Sequence, residues 1–221
     1  MKPAREWEPM HEHVSRVESR GDGQWHISNI RDFIFTPDAP PVYRWSETTI
    51  DIAHVTNAHF YTFPLEQFGN LRRLLFAHTC IGFSFTDGTN LLYSIEVRQP
   101  LGKEYRPSSN AENVRIFATL EYFCGFRHVV RKRGFSRYPI LLPQEKIKNV
   151  LQACLRDAAD AYDTVNHYHA VTNQCTTALI RAMNRGLEKP IPWHPWLHLT
   201  GLTHRVLAKR CLINLAHKET L

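Results

Sequence analysis

Residues 74–85 and 91–97 alternate apolar side chains with small or polar ones, and Asp87-Gly88 lies between the two runs. A period of two is strand geometry, and Asp-Gly between two such runs is a hairpin signal. An antiparallel pair is therefore expected here, and the remaining elements must cover it. Ile81, Phe83 and Phe85 fall on one face with Leu91, Tyr93, Ile95 and Val97. His78, Cys80, Gly82 and Ser84 share the other face with Ser94, Glu96 and Arg98. The first face is core. The second carries an imidazole, a thiol, a carboxylate and a guanidinium. If Thr86 pairs with Asn90, His78 lies opposite Arg98 and diagonal to Glu96, within reach of both. A slip of one residue would exchange the faces.

Further strands are expected at 25–35, where Ile27, Ile30 and Phe33 to Phe35 are the apolar members, at 48–55, at 114–122 and at 138–142. Pro37, Pro40 and Pro41 break the first of these. Pro143-Gln144-Glu145 opens a helix. Its apolar members Ile147, Val150, Leu151, Cys154, Leu155, Ala158 and Tyr162 follow 3.6-residue spacing. A second helix starts near Cys175, and a last one is expected within 199–215. Residues 1–24 read as a polar, irregular lead-in, and 25–221 as a single catalytic domain. Strands fill the first two-thirds and helices the last third, which is the order of an α+β fold.

The formal net charge of +6 would suit nucleic acid or anionic lipid. The densest basic cluster is Arg127, His128, Arg131, Lys132, Arg133 and Arg137, without the interleaved aromatics of an RNA-binding module, so no nucleic-acid partner is expected. The five cysteines are odd in number and irregular in spacing, with no C-x-x-C, which argues against a zinc ribbon or a dense disulfide scaffold. No run approaches the ~18 apolar residues of a membrane span, and the start MKPAREWEPM lacks the apolar core of a signal peptide.

The chemistry gathers at Thr172-Asn173-Gln174-Cys175-Thr176-Thr177. Polar capping residues precede the cysteine, and Leu179, Ile180 and Met183 supply one apolar helix face after it. Cys175 then sits in a first helical turn, where unpaired N–H groups and the macrodipole favour a thiolate. The competing explanation is a small residue buried at a helix start. A nucleophilic cysteine needs a base, and the base an orienting group. His78 is the best base, on a hairpin face that also carries Glu96, and a Cys175 helix packed on that face would join the two. Cys80 shares the face but lacks a helix dipole, so it is the lesser nucleophile. His167 and His169 stand near Cys175 as a His-x-His, yet no acidic or fourth ligand stands at metal-binding spacing, and neither metal nor cofactor is expected.

Four motifs, in order, carry a resemblance: SNIRDF (28–33), AHTCIGFSFTDG (77–88), SIEVRQPLGKEY (94–105) and TNQCTT (172–177). Together they resemble the Lnb N-terminal periplasmic domain family over roughly residues 25–185. The chain departs from the family in the stretch 125–133, GFRHVVRKR, where an acidic pair is usual, and in a lysine inserted at Gly102-Lys103-Glu104-Tyr105. The resemblance implies a circularly permuted papain-like fold, similar to NlpC-type hydrolases, with an antiparallel sheet packed against a helix bearing the nucleophile. Members of known activity are lipoprotein N-acyltransferases, which move an acyl chain from phospholipid to a lipoprotein N-terminus. By carry-over, Cys175 is the nucleophile, His78 the base and Glu96 the orienting group. Arg98, Arg31, Asp32 and Asn173 are expected to support the site or bind the head group. A cysteine hydrolase, peptidase or amidase, on the same scaffold is the alternative. The implied partners are phospholipid, lipoprotein and a membrane surface. The implied location is periplasmic and membrane-associated, with a native anchor trimmed away.

Overall fold

The computed structural model describes residues 6–65, 75–103 and 111–221; Leu74, at the head of the first alternating run, and Glu104-Tyr105 lie outside them. Eleven strands appear in chain order among these residues: β1 (Arg16–Gly21), β2 (Gln24–Arg31), β3 (Ile34–Thr36), β4 (Ala39–Val42), β5 (Trp45–Asp51), β6 (Val55–Pro64), β7 (Ala77–Phe85), β8 (Asn90–Val97), β9 (Asn113–Thr119), β10 (Ser136–Pro139) and β11 (Glu219–Thr220). Four helices accompany them: α1 (Leu120–Gly125), α2 (Gln144–Tyr162), α3 (Cys175–Gly186) and α4 (Thr203–Lys209). The nine strands up to Thr119 precede every helix, so the α+β class expected from the sequence holds, while β10 follows α1 and β11 closes the chain.

One sheet of nine strands runs β1-β2-β9-β8-β7-β6-β10-β11, with β5 on β2, while β3 and β4 pair separately. The expected hairpin is β7–β8 at its centre. Its register is two residues tighter than the Thr86–Asn90 alignment: Ser84 pairs with Asn90 and Cys80 with Ser94. Phe85 N–H closes the turn on Thr89 O at 2.9 Å, with Gly88 at φ 87°. A shift of two keeps every side chain on its face. It brings His78 alongside Ser94 and Glu96 in place of Arg98.

Both faces of the sheet are covered. Ile81, Phe83, Leu91, Tyr93 and Ile95 pack with the apolar faces of α2 and α3 in one cluster. Cys80 and Leu92 pack with Phe33, Phe63, Tyr122, Phe123 and Phe135 in a second cluster on the other side. The middle of the face read as polar is therefore core as well, while its two ends, at His78–Glu96 and at Ser84–Asn90, are only partly buried. Each fully buried Ile, Leu or Phe of these layers contributes about 1.5–3 kcal/mol.

Several boundaries differ from the sequence expectation for identifiable reasons. In β2 the alternation breaks at a bulge between Ile27 and Ile30, with Asn29 left-handed at φ 56°. Asn tolerates that conformation, and the bulge re-aims the strand end. Arg31, the last residue of β2, then bridges to Ala118 of β9 in parallel. The longest strand, β6, hides its period because both of its faces are buried over residues 60–63. The expected strand at 114–122 ends at Thr119, whose hydroxyl accepts from Tyr122 N–H at 3.2 Å and caps α1. The last helix is only Thr203–Lys209. Residues 6–24, read as an irregular lead-in, supply the edge strand β1, and Arg98 fastens the segment by donating to the carbonyls of His11 (2.9 Å) and Glu12 (2.7 Å).

Two devices set α3 against the sheet. Buried Asp157 of α2 accepts from Tyr93 Oη at 2.6 Å, Arg115 Nε at 2.9 Å and Arg185 Nη1 at 3.0 Å, tying both helices to β8 and β9. At Gly186 an added Cβ would stand 2.5 Å from Asn149 O, so only glycine lets the end of α3 lie this close to α2.

Candidate active site

Cys175 is the first residue of α3, with Gln174 as N-cap. The Thr177 hydroxyl accepts from Gln174 N–H at 3.2 Å, and Gln174 Nε2 donates to Leu197 O at 2.9 Å. These bonds satisfy donors of an otherwise open helix end and fix where it stops. Thr176 and Thr79, both fully buried, share a hydroxyl hydrogen bond of 2.9 Å that pins the start of α3 to β7. Ala77 N–H donates to Thr200 Oγ1 at 2.7 Å and holds the start of β7.

The expectation that α3 packs on the His78 face is corrected. α3 lies on the opposite, apolar face, where Ala178, Leu179, Ile180 and Met183 bury against Ile81 and Tyr93. Its N-terminus reaches the end of β7, and the Cys175 thiol comes near enough to the His78 imidazole there for the two groups to couple electrostatically. The half-buried thiol lies 3.9 Å from Thr176 Oγ1. Burial pushes the thiol pKa up; the neighbouring His78 and then the Thr79 backbone N–H outweigh burial and bring it below the usual thiol value.

His78 Nε2 lies 2.7 Å from Ser94 Oγ and 3.9 Å from Glu96 Oε1. Ser94 Oγ in turn donates to Glu96 Oε1 at 3.4 Å. With Nε2 so engaged, Nδ1 is the nitrogen available to the thiol. Behind Glu96 stands Arg31, 1% exposed, with Nη1 donating to Glu96 Oε2 at 2.6 Å. Arg31 also reaches Tyr122 Oη at 3.4 Å and His11 Nδ1 at 3.3 Å. Burial raises the Glu96 pKa, but Arg31, His78 and His11 overcome it and hold the carboxyl at about 2. Burial and then the Arg31 charge push His11 down to about 3, so it is neutral and accepts from the guanidinium. Glu96 is thereby a fixed carboxylate behind Ser94 and His78.

The expected site residues therefore divide. Cys175, His78, Glu96 and Arg31 form one connected network. Arg98 stands over the Trp7 ring at 4.1 Å and binds the N-terminal segment. Asp32 accepts from Thr119 Oγ1 at 3.1 Å and pairs with Arg44. Asn173 lies just ahead of the cap, with Nδ2 on His167 O at 2.6 Å and its buried Oδ1 without a partner. Cys80, the rival thiol, is completely buried, and burial followed by the Glu96 charge raises it well above the ordinary value. His169 accepts from Val171 N–H at 3.3 Å and Thr172 N–H at 3.1 Å, a loop-shaping role, and no cluster fit to hold a metal occurs among the described residues. Two network members were not singled out in the sequence. Ser94 lies on the correct face, two residues from Glu96, and its spacing could have found it. His11 carries no local signal, because only tertiary packing brings it to Arg31.

The arrangement holds a thiol of lowered pKa, a base with one nitrogen free, and the first turn of a helix. It can form and break an acyl–sulfur bond. The chain matches the family described as Lnb N-terminal periplasmic domain over residues 42–209, which covers three of the four motifs and leaves SNIRDF outside. No curated protein and no solved structure matches it.

Proposed function

Since the chain belongs to the Lnb N-terminal periplasmic domain family, we propose that it is a Cys–His acyltransferase that carries its acyl group as a thioester on Cys175. The family name places it in the periplasm. The observation that carries the proposal is the Cys175 thiol at the start of α3, lowered in pKa by the neighbouring His78, whose ring is held by Ser94 at 2.7 Å. We also infer a permuted papain-like arrangement, since the base-bearing strand precedes the nucleophile helix in the chain.

In the proposed reaction His78 takes the thiol proton and Sγ attacks an ester carbonyl. The oxyanion forms beside the first-turn N–H groups of α3. The carbon–oxygen bond then breaks, and the alcohol leaves with the proton from His78. An amine attacks the thioester, His78 accepts its proton, and loss of the thiolate leaves an amide. Ser94 and Glu96 hold the imidazole in the tautomer and position that both steps require. Phospholipid is the proposed donor and a lipoprotein N-terminus the proposed acceptor. No described helix is long and apolar enough to cross a membrane, and association with its surface is part of the proposal.

Intact-mass analysis after incubation with phospholipid tests this. A hydroxylamine-sensitive acyl adduct on Cys175, absent in Cys175→Ala and discharged by an added amine, is the expected result. Discharge to free fatty acid alone, whatever the amine, makes the protein a hydrolase. No adduct with any ester or amide probe removes the enzymatic reading.

A further inference from the structure

Arg127 lies in the π-helical turn Phe126–Val130 that follows α1, and is 8% exposed. Its Cζ stands 4.7 Å from the centre of the Phe63 ring. Phe63 pairs with His78 across β6 and β7, and the two rings are 6.1 Å apart. The Arg127 charge is felt by Glu96, Tyr122 and Cys80, and Cys80 feels the Cys175 thiol as well. Arg127 is thus a neighbour of the catalytic network.

Among the described residues its charge has no carboxylate partner. Arg31 and Glu96 neutralise each other, and His11 is neutral. Arg127 Nε is enclosed without any hydrogen-bond partner, and among the described residues no carboxylate pairs with it. A guanidinium that needs only to be tolerated is ordinarily paired or lies at the surface with its head in water. The face of Phe63 compensates in part, since cation–π attraction strengthens when the pair is desolvated, but it supplies no acceptor for the N–H groups. A planar fork of donors held in a low-dielectric setting is suited to a phosphate or carboxylate.

We propose that Arg127 is the anion-binding residue of this site: an oxyanion of the acyl donor, the phosphate diester of a phospholipid, pairs with its guanidinium while the scissile ester lies on Cys175. This rests on the acyl-transfer reading for the identity of the ligand, though not for the existence of the anion site.

Alkylation of Cys175 in the full chain, followed by peptide mass, tests the site without any acyl transfer. In both reactions Sγ displaces iodide; iodoacetate is anionic and iodoacetamide is not. Arg127→Met is expected to lower the iodoacetate-to-iodoacetamide rate ratio about tenfold, and Arg127→Lys to retain most of it. Inorganic phosphate should slow iodoacetate in the wild type and not in Arg127→Met. An unchanged ratio in Arg127→Met overturns the proposal, leaving Arg127 a packing cation on Phe63. An equal loss with both reagents, or a ratio that Arg127→Lys fails to restore, assigns it to the fold or the thiolate and also overturns it. Protection by a short-chain phosphatidylglycerol at concentrations where free phosphate has no effect supports the lipid source. Equal protection by free phosphate overturns the lipid assignment. An Arg127-dependent ratio without any acyl adduct from phospholipid would sink the acyltransferase reading and leave the anion site standing.

Discussion

Glu96→Gln isolates the charge on which the network is built. Glu96 is 17% exposed and bonded to a fully buried guanidinium at 2.6 Å. Its pKa falls from an ordinary 4.5 to about 2 on folding. A carboxyl depressed on folding contributes stability above its unfolded pKa, and that contribution fades as pH falls towards the folded value. The depression corresponds to about 3 kcal/mol at pH 7 and about 2 kcal/mol at pH 3.5. Removing one partner of a buried pair independently suggests about 3–5 kcal/mol. Urea unfolding of wild type and Glu96→Gln, followed by tryptophan fluorescence, should show a difference of about 3 kcal/mol at pH 7 that narrows at pH 3.5. A difference that does not change with pH would mean that shape, and not charge, is lost. A difference below about 0.5 kcal/mol at pH 7 would refute the role given to the Arg31–Glu96 pair.

Three further outcomes are expected. The pH profile of Cys175 alkylation by iodoacetamide should have its midpoint below the ordinary thiol value of 9, and His78→Ala should move it upward, because His78 favours the thiolate; an unmoved midpoint separates the two side chains. Ser94→Ala removes the hydroxyl that links His78 to Glu96 and should slow acyl-enzyme formation by about 10–100-fold in single-turnover mass measurements while stability changes by less than about 2 kcal/mol; a wild-type rate would show that the imidazole is held without it. Gly186→Ala puts a Cβ 2.5 Å from Asn149 O and should destabilise the fold by about 1–3 kcal/mol or more; an unchanged melting temperature in calorimetry would show that the α2–α3 spacing yields freely.

Much of this site is legible without coordinates. The period-two runs around Asp87-Gly88 predict β7 and β8 and assign each side chain to a face. The capping residues before Cys175 predict the helix that begins there. These features are local, because backbone period, turn chemistry and capping act over a few residues. Their limits are equally physical. β6 is buried on both faces over residues 60–63, so no alternation marks that stretch, and the bulge at Asn29 breaks the period that would have delimited β2.

Local sequence suffices for the pair of chemical groups and the elements that carry them: His78 on a hairpin strand and Cys175 at a helix start. How they meet depends on contacts between distant segments. A hairpin register shifted by two residues leaves faces unchanged but exchanges neighbours, and so selects Ser94 and Glu96 over Arg98 beside His78. The packing of α3 on the apolar face, with only its first residue reaching the strand end, depends on how Thr79, Thr176, Asp157 and Gly186 fit together across distant segments. The burial that makes Arg31 a partner of Glu96, and leaves Arg127 without a carboxylate among the described residues, arises where those segments close over the sheet. Desolvation depends on everything packed around a charge, and that is set by the whole fold.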